Sequence, residues 1–378
     1  MKSANAITEV PFFRYPHVFQ QNRRAFEDAL VRVASAGAYI LQKELADFEA
    51  RLADYCGVKH AIGVANASDG LELNLATAGV GVGDEVLLSS HTFVATAAAI
   101  VSRGATPVFV EIGHDHEMDP DDLERRVMPR AKAVMPTQLN GRTADMDRIG
   151  AIARKHSLVI VEDSAQGLGS RFKERMAGTF GHAGVFSFYP AKTLGCFGDG
   201  GAVVTDDDHV ADETRRLRDH GRDPATGEVV QWGRNSRLDN LQAGVLSIKL
   251  DSLDDEIARR RILASRYHAN LADVSALSLP PPPNERGGNH FDVFQNYEME
   301  ADRRDELRDY LSTRGVGTIL QWGGRAVHEF AGLKLDISLP RTESIMRRSV
   351  LLPMNTSLTL DEVDYVSEVI RDFYAVTG

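Results

Sequence analysis

Short apolar runs alternate with segments of helical spacing along the first 245 or so residues, and this alternation constrains the fold more than any other feature. HAIGVAN (60–66), DEVLLSS (84–90), TPVFVEI (106–112), KAVMPTQ (132–138) and SLVIVED (157–163) each have the length and apolar content of a buried strand. ELADFEARLADYCGV (44–58), SDGLELNLATAGV (68–80), TFVATAAAIVSRG (92–104) and DMDRIGAIARKH (145–156) carry helical spacing around them. Strands that are apolar along their whole length have no solvent face. They belong to a mainly parallel sheet with helices on both faces, so the expected class is α/β.

Beyond residue 245 the texture changes. SIKLDSLDDEIARRRILASRYHANLADV (247–274) reads as one long charged helix. The Pro-rich LPPPPNERGG (279–288) follows, then a strand over FQNYEMEA (294–301) and a helix over RRDELRDYLSTRG (303–315) that stops at a glycine. An amphipathic helix spans 359–376. We expect a large domain over 1–245 and a smaller α+β domain over 246–378, with the boundary near 240–255.

A chain of 378 residues can bury its core without staples. Its 43 basic and 54 acidic residues leave a net charge of −11, which argues against a dedicated nucleic-acid binder. A small anionic substrate needs only local positive groups and stays possible. Cys56 and Cys196 make neither a disulfide framework nor a CxxC pair, so no metal site is expected. MKSANAITEVPFFRYP lacks the apolar core of a signal peptide, and no apolar run approaches the ~18–20 residues that span a bilayer. The expectation is a cytoplasmic protein with no membrane partner.

Five features carry candidate chemistry. Asp163 ends an apolar strand, where ligands of open α/β sheets bind, with Gln166 three residues on; the plain alternative is that Asp163 caps the next helix. Lys192, one of nine lysines, lies between Phe186, Phe188 and Tyr189 and a turn with Gly195, Gly198, Gly200 and Gly201. A partly dry aromatic setting lowers a lysine's pKa, as Schiff-base chemistry needs, although most lysines are solvated surface groups. Ser68 and Asp69 open a helix whose N–H groups could cradle a phosphate, or else one of them is an ordinary N-cap. Phe93 could stack on a flat ring, or simply join the core. Asn235 and Arg237 precede an apolar helix start, where Asn235 or Ser236 could be its cap.

Together these describe a phosphate cradle, a stacking ring, a strand-end carboxylate and a buried lysine, the set that pyridoxal 5'-phosphate requires. The aldehyde needs an amine, the pyridine nitrogen a carboxylate, and the phosphate oriented donors. The other phosphate-binding signatures, GxxxxGK[ST] and a strand-linked GxGxxG, are absent.

On VEDSAQGLGS, SFYPAKTLGCFGDGGAVVT and GRNSRLDNLQA, in that order, the chain closely resembles the DegT/DnrJ/EryC1/StrS family of pyridoxal-phosphate-dependent sugar aminotransferases, over nearly its whole length. The resemblance implies the aspartate-aminotransferase-like fold (fold type I) and a homodimer with shared active sites. It implies Lys192 as the lysine that bonds the cofactor and later moves the proton between substrate carbon and cofactor. Asp163 is then the partner of the pyridine nitrogen, Gln166 the donor to the phenolic oxygen and Phe93 the ring that stacks. Ser68, Asp69 and Ser187 match phosphate ligands, and Asn235 matches an asparagine supplied by the other subunit.

The family usually has Asn-Gly-Thr where this chain has Asn66-Ala67-Ser68; the serine keeps the hydroxyl, and alanine implies no positive φ there. A larger departure is ILQWGGRAVHEFAGL (319–333), where many relatives carry a His-Tyr-Pro-type segment near the sugar. KTLGCFGDGG is similar to members that aminate C-3 of a nucleotide-linked keto sugar rather than C-4. The implied reaction is a ping-pong transfer from an amino acid, L-glutamate, through pyridoxamine phosphate to a keto sugar. The other readings are a C-4 aminotransferase, a sugar dehydratase (whose members replace the lysine with histidine) and a non-catalytic sensing homologue. Arg314, Arg325 and Arg341 are candidates for a pyrophosphate, or plain surface groups.

Overall fold

The structure, a computed structural model, describes residues 7–283 and 288–377. The start of the N-terminal stretch (1–6) and the middle of the Pro-rich tract (284–287) lie outside the described residues. Seven strands form the main sheet: β1 (His60–Val64), β2 (Glu85–Ser89), β3 (Thr106–Val110), β4 (Ala131–Met135), β5 (Val159–Asp163), β6 (Ala183–Ser187) and β7 (Gly201–Thr205). Their order is β1-β7-β6-β5-β4-β2-β3. β7 alone runs antiparallel to its neighbours. All five strands expected from the apolar runs are present.

The absence of a solvent face explains their composition. β2 is buried at every position. Leu88 and Val161 join Ile62, Val185 and Val203 in one core layer. Leu87 and Val134 face the other way, toward Ile149 and Leu123. Each such side chain contributes about 1.5–3 kcal/mol when buried. Helices Ala67–Thr77 and Val94–Ser102 cover the first layer, and Met146–His156 covers the second.

A second sheet of three antiparallel strands, β8 (Leu277–Ser278), β9 (Tyr297–Ala301) and β10 (Ser349–Leu352), lies in that order. Helices Arg304–Thr313 and Leu360–Thr377 pack on it around Tyr267, Tyr297, Met299 and Val366. The long helix expected over 247–274 is two helices, Asn240–Leu250 and Leu253–Leu271. The break at Asp251–Ser252 comes just before Asp254, Asp255 and Glu256, whose charges favour a new helix N-terminus. The second helix serves two cores: Leu253 and Ile257 pack with Phe188 and Leu238 of the large body. Leu263, Tyr267 and Leu271 pack under the second sheet. Among the described residues no helix is long and apolar enough to cross a membrane. Cys56 and Cys196 are buried and unbonded to each other.

Candidate active site

A cavity of about 530 Å3 opens at the carboxyl ends of the parallel strands and is lined by Ser68, Phe93, Asp163, Gln166, Ser187 and Lys192. Six of the eight candidate residues therefore meet in one place. Asp69 and Asn235 do not line it.

Asp163 closes β5, and strand alternation separates it from Glu162. Glu162 turns to the opposite side and accepts from the Gly178 and Phe180 N–H groups and from Gln138 Nε2, a satisfied structural carboxylate. No helix follows Asp163, so it is not a helix cap; its Oδ1 accepts from the Ala165 N–H at 3.2 Å in a turn. Its Oδ2 accepts from Thr96 Oγ1 at 2.6 Å. Thr96 in turn meets Thr92 Oγ1 at 2.7 Å, and Thr137 donates to Thr92 at 2.9 Å. This chain of hydroxyls, all oriented to donate toward Asp163, was not foreseen. Only the spacing of Thr92 and Thr96, four apart at a helix start, hinted at it. Burial raises the Asp163 carboxyl above its usual range, while the Thr96 and Ala165 bonds and the nearby Lys192 pull it down.

Lys192 sits in the connection between β6 and β7, its backbone N–H bonded to the Tyr189 carbonyl. It is half-buried, and among the described residues Nζ has no hydrogen-bond or ion-pair partner. Desolvation lowers its pKa from 10.5 to about 8, against the pull of Asp163. A neutral amine is therefore accessible near physiological pH, the state in which nitrogen attacks a carbonyl. The buried Lys249 donates to the Gly195 carbonyl at 2.6 Å and so pins the glycine turn that follows Lys192.

Gln166 Oε1 accepts from the Asn140 N–H at 2.8 Å, which leaves its NH2 free. Phe93 is 52% exposed, with its ring 5.3 Å from that of Trp322, so it is not a core residue. Trp322 comes from the departing segment 319–333 and holds a left-handed backbone, φ 54°.

At the other end, Asn66 rather than Ser68 or Asp69 is the N-cap of helix Ala67–Thr77. Its side chain takes the Asp69 N–H at 2.8 Å. The N-terminus of this helix approaches the sheet closely: a Cβ on Gly201 would lie 2.7 Å from the Asn66 backbone. Ala67 has no positive φ. Ser68 is exposed on the cavity, and Ser187 Oγ accepts from the Tyr189 N–H at 3.3 Å. The Asp69 carboxylate lies 3.7 Å from Arg234. Asn235 is exposed and bridges to Asp219 at the base of a hairpin that carries Trp232, 97% exposed. The helix expected beyond it starts later, at Asn240, with Asp239 at the N-cap position and no side-chain cap bond, so neither Asn235 nor Ser236 caps it. None of Arg314, Arg325 and Arg341 reaches the cavity; Arg341 pairs with Asp119.

A lysine of lowered pKa facing a strand-end carboxylate, in a crevice of a mainly parallel sheet, defines the class: a fold type I enzyme built for amine–carbonyl exchange. The family model of the DegT/DnrJ/EryC1/StrS aminotransferase family matches residues 20–371, and the chain belongs to this family. It is 39% identical over 378 residues to dTDP-3-amino-3,4,6-trideoxy-alpha-D-glucose transaminase of Streptomyces venezuelae, covering 99% of this chain and 98% of the relative. It is 39% identical over 328 residues to UDP-2-acetamido-2-deoxy-3-oxo-D-glucuronate aminotransferase of Pseudomonas aeruginosa, covering 86% of this chain and 90% of the relative. The crystal structure of S. venezuelae DesV in complex with a ketimine intermediate superposes with a TM-score of 0.92 at 39% identity, covering 97% of this chain and 99% of that one.

Proposed function

We propose that this chain is a pyridoxal-phosphate-dependent aminotransferase that moves an amino group from L-glutamate to the C-3 carbonyl of a nucleotide-linked 3-oxo sugar. The observation that carries the reading is the unpartnered Lys192 Nζ, lowered to a pKa of about 8, in one cavity with Asp163.

The residues present fit the cofactor: a free amine, a buried carboxylate with hydroxyl donors, a free amide NH2 and an aromatic ring line one cavity. When bound, pyridoxal phosphate supplies an aldehyde that takes amines and a ring that withdraws electrons from the adjacent carbon. Lys192 Nζ is the amine that holds it, and, once displaced, the base that carries the proton to and from the substrate carbon. Asp163 would hold a proton on the ring nitrogen, and the Thr96 hydroxyl that donates to its Oδ2 favours its ionised form against burial. Gln166 donates from Nε2 to the ring oxygen, and Phe93 covers the ring face. Ser68 and Ser187 hold the phosphate at the N-terminus of helix Ala67–Thr77, joined by Asp69 once its N–H leaves Asn66.

Asn235 completes the phosphate site of a second copy. Two things support this: Asn235 does not line the cavity of its own subunit, and the hairpin arm that leads to it exposes Val229, Val230 and Trp232, which fits a homodimer contact. The C-3 preference rests on KTLGCFGDGG and on the two relatives, whose names carry a 3-amino and a 3-oxo sugar. Lys192 stands where a dehydratase of this family would have histidine.

The test is an absorbance spectrum of the protein loaded with pyridoxal phosphate, before and after L-glutamate. A visible band that glutamate bleaches, and that a 3-oxo nucleotide sugar restores, is the expected result. Restoration by 4-keto sugars alone would move the reading to C-4. A loaded protein whose band no amino donor changes would overturn transamination.

A further inference from the structure

One buried carboxylate on the second sheet is tied to both walls of the cavity. Glu298, in β9, is 4% exposed. His91 Nε2 lies 3.1 Å from its Oε2, and His91 directly precedes Thr92 and Phe93. His116 Nδ1 lies 2.8 Å from the same oxygen, and Asn140 Nδ2 donates to it at 2.6 Å. Asn140 is held in a left-handed conformation, φ 55°, and Asn296 Nδ2 donates to its Oδ1 at 2.9 Å. The Asn140 backbone N–H then meets Gln166 Oε1. A backbone N–H can be met only by the oxygen of a side-chain amide, so this bond fixes which end of Gln166 is left for the cavity.

We propose that Glu298 is a positioning residue: through Asn140 it fixes Gln166 with its NH2 toward the cofactor ring, and through His91 it braces the wall that carries Thr92 and Phe93. The inference rests on the cofactor reading above and deepens it. The chemistry of the node supports it. Burial disfavours a charged imidazole at His116, but Glu298 and Glu300 outweigh burial and raise its pKa to about 10. The two histidines likewise hold Glu298 well below the usual carboxylate range despite its burial. The node is thus an ion pair with a buried anion at its centre, and charge-assisted bonds of this kind are shorter and stronger than neutral ones. A strand of the second sheet thereby sets the geometry of a cavity built on the first.

The test titrates the visible band of the pyridoxal-phosphate-loaded protein with pH. A donor on the ring oxygen stabilises its negative charge and so the deprotonated chromophore. Gln166→Ala is expected to raise the midpoint by about one pH unit, the worth of one hydrogen bond to a charged oxygen. Glu298→Gln and Asn140→Gly should each raise it by a comparable amount, and neither should add to Gln166→Ala in double variants. Asn140→Gly suits the left-handed backbone and keeps the N–H to Gln166, removing the side-chain ties to Glu298 and Asn296; its thermal midpoint should stay near the unaltered protein's even where Glu298→Gln lowers it. A band titration that Gln166→Ala moves, but Asn140→Gly and a folded Glu298→Gln leave in place, overturns the inference alone. Additive shifts overturn it as well, as does a midpoint that Gln166→Ala does not move. A protein that develops no visible band overturns the cofactor reading and this inference with it.

Discussion

The two ends of the cavity are built differently. At the end that the proposed function assigns to the cofactor ring, Asp163 is buried, its Oδ2 is fed by three hydroxyls in series, and Gln166 is locked by a backbone donor. At the end that the proposed function assigns to the phosphate, Ser68 is exposed, Asp69 has turned its N–H to Asn66, and Asn235 sits on a hairpin and does not line the cavity. The ring end is preorganised by a single chain. The phosphate end offers a helix N-terminus and leaves the rest to the ligand and, on the reading proposed here, to a second copy. Preorganised groups act on the rate, because they need not rearrange as charge develops, whereas adaptable groups act mainly on binding.

Substitutions can break or sharpen that contrast. Lys192→Ala should abolish turnover of glutamate and keto sugar while far-ultraviolet dichroism stays native; measurable steady-state turnover would remove the lysine from the mechanism. Asp163→Asn should lower kcat by roughly 10²–10³, as loss of a key electrostatic group does, with little change in secondary structure. Thr96→Val should cost roughly 10-fold, the worth of one hydrogen bond to a charged group. It also removes the main influence that holds the Asp163 carboxyl down against burial. The Asp163 pKa should therefore rise further, and the acid limb of the kcat profile should move to higher pH. Asn235→Ala should leave kcat near its original value and weaken cofactor affinity by roughly 3–10-fold, read by equilibrium dialysis. A kcat defect as large as that of Thr96→Val would erase the distinction between the two ends.

A fifth expectation concerns the cofactor-free protein. Lys192 has a folded pKa near 8 and an ordinary value of 10.5, so between those values the folded state binds fewer protons than the unfolded one. Stability contributed by this group should rise with pH through that window. Denaturant midpoints should show the rise in the unaltered protein and a weaker one in Lys192→Met.

The parts legible in the sequence were those whose signal is local. The main sheet was readable because strands covered on both faces are apolar throughout, and Asp163 because it ends one of them. Lys192 stood out by its aromatic and glycine flanks. What stayed hidden depends on distant partners. The hydroxyl chain joins Thr137 to Thr92 and Thr96 and ends on Asp163, three separate stretches of the chain, and His91 meets Glu298 across 207 positions. The helical spacing of 247–274 concealed the break at Asp251–Ser252, because no proline or glycine marks it. Asn66 was overlooked as the cap since Ser68 and Asp69 are equally good candidates by type. Elsewhere the spacing of apolar residues placed helix starts within about a turn, but over 247–274 it read two helices as one.

The reversed direction of β7 has a further consequence. Ser187 and Gly201 are paired across β6 and β7, so the chain that leaves the sheet after Ser187 returns to it on the same side. A parallel neighbour would have required a crossover helix, which would carry the intervening residues down a face of the sheet. Here the segment that bears Lys192 is a closed loop anchored at both ends beside the cavity. The Phe188 N–H bond to the Gly200 carbonyl, 2.8 Å, continues the ladder into the loop, so the variable part lies inside that pair. Residues inserted or deleted between Phe197 and Gly200 would reshape the mouth of the cavity without touching the strands. For anyone redesigning the enzyme to accept a bulkier acceptor, that loop is the segment to vary first.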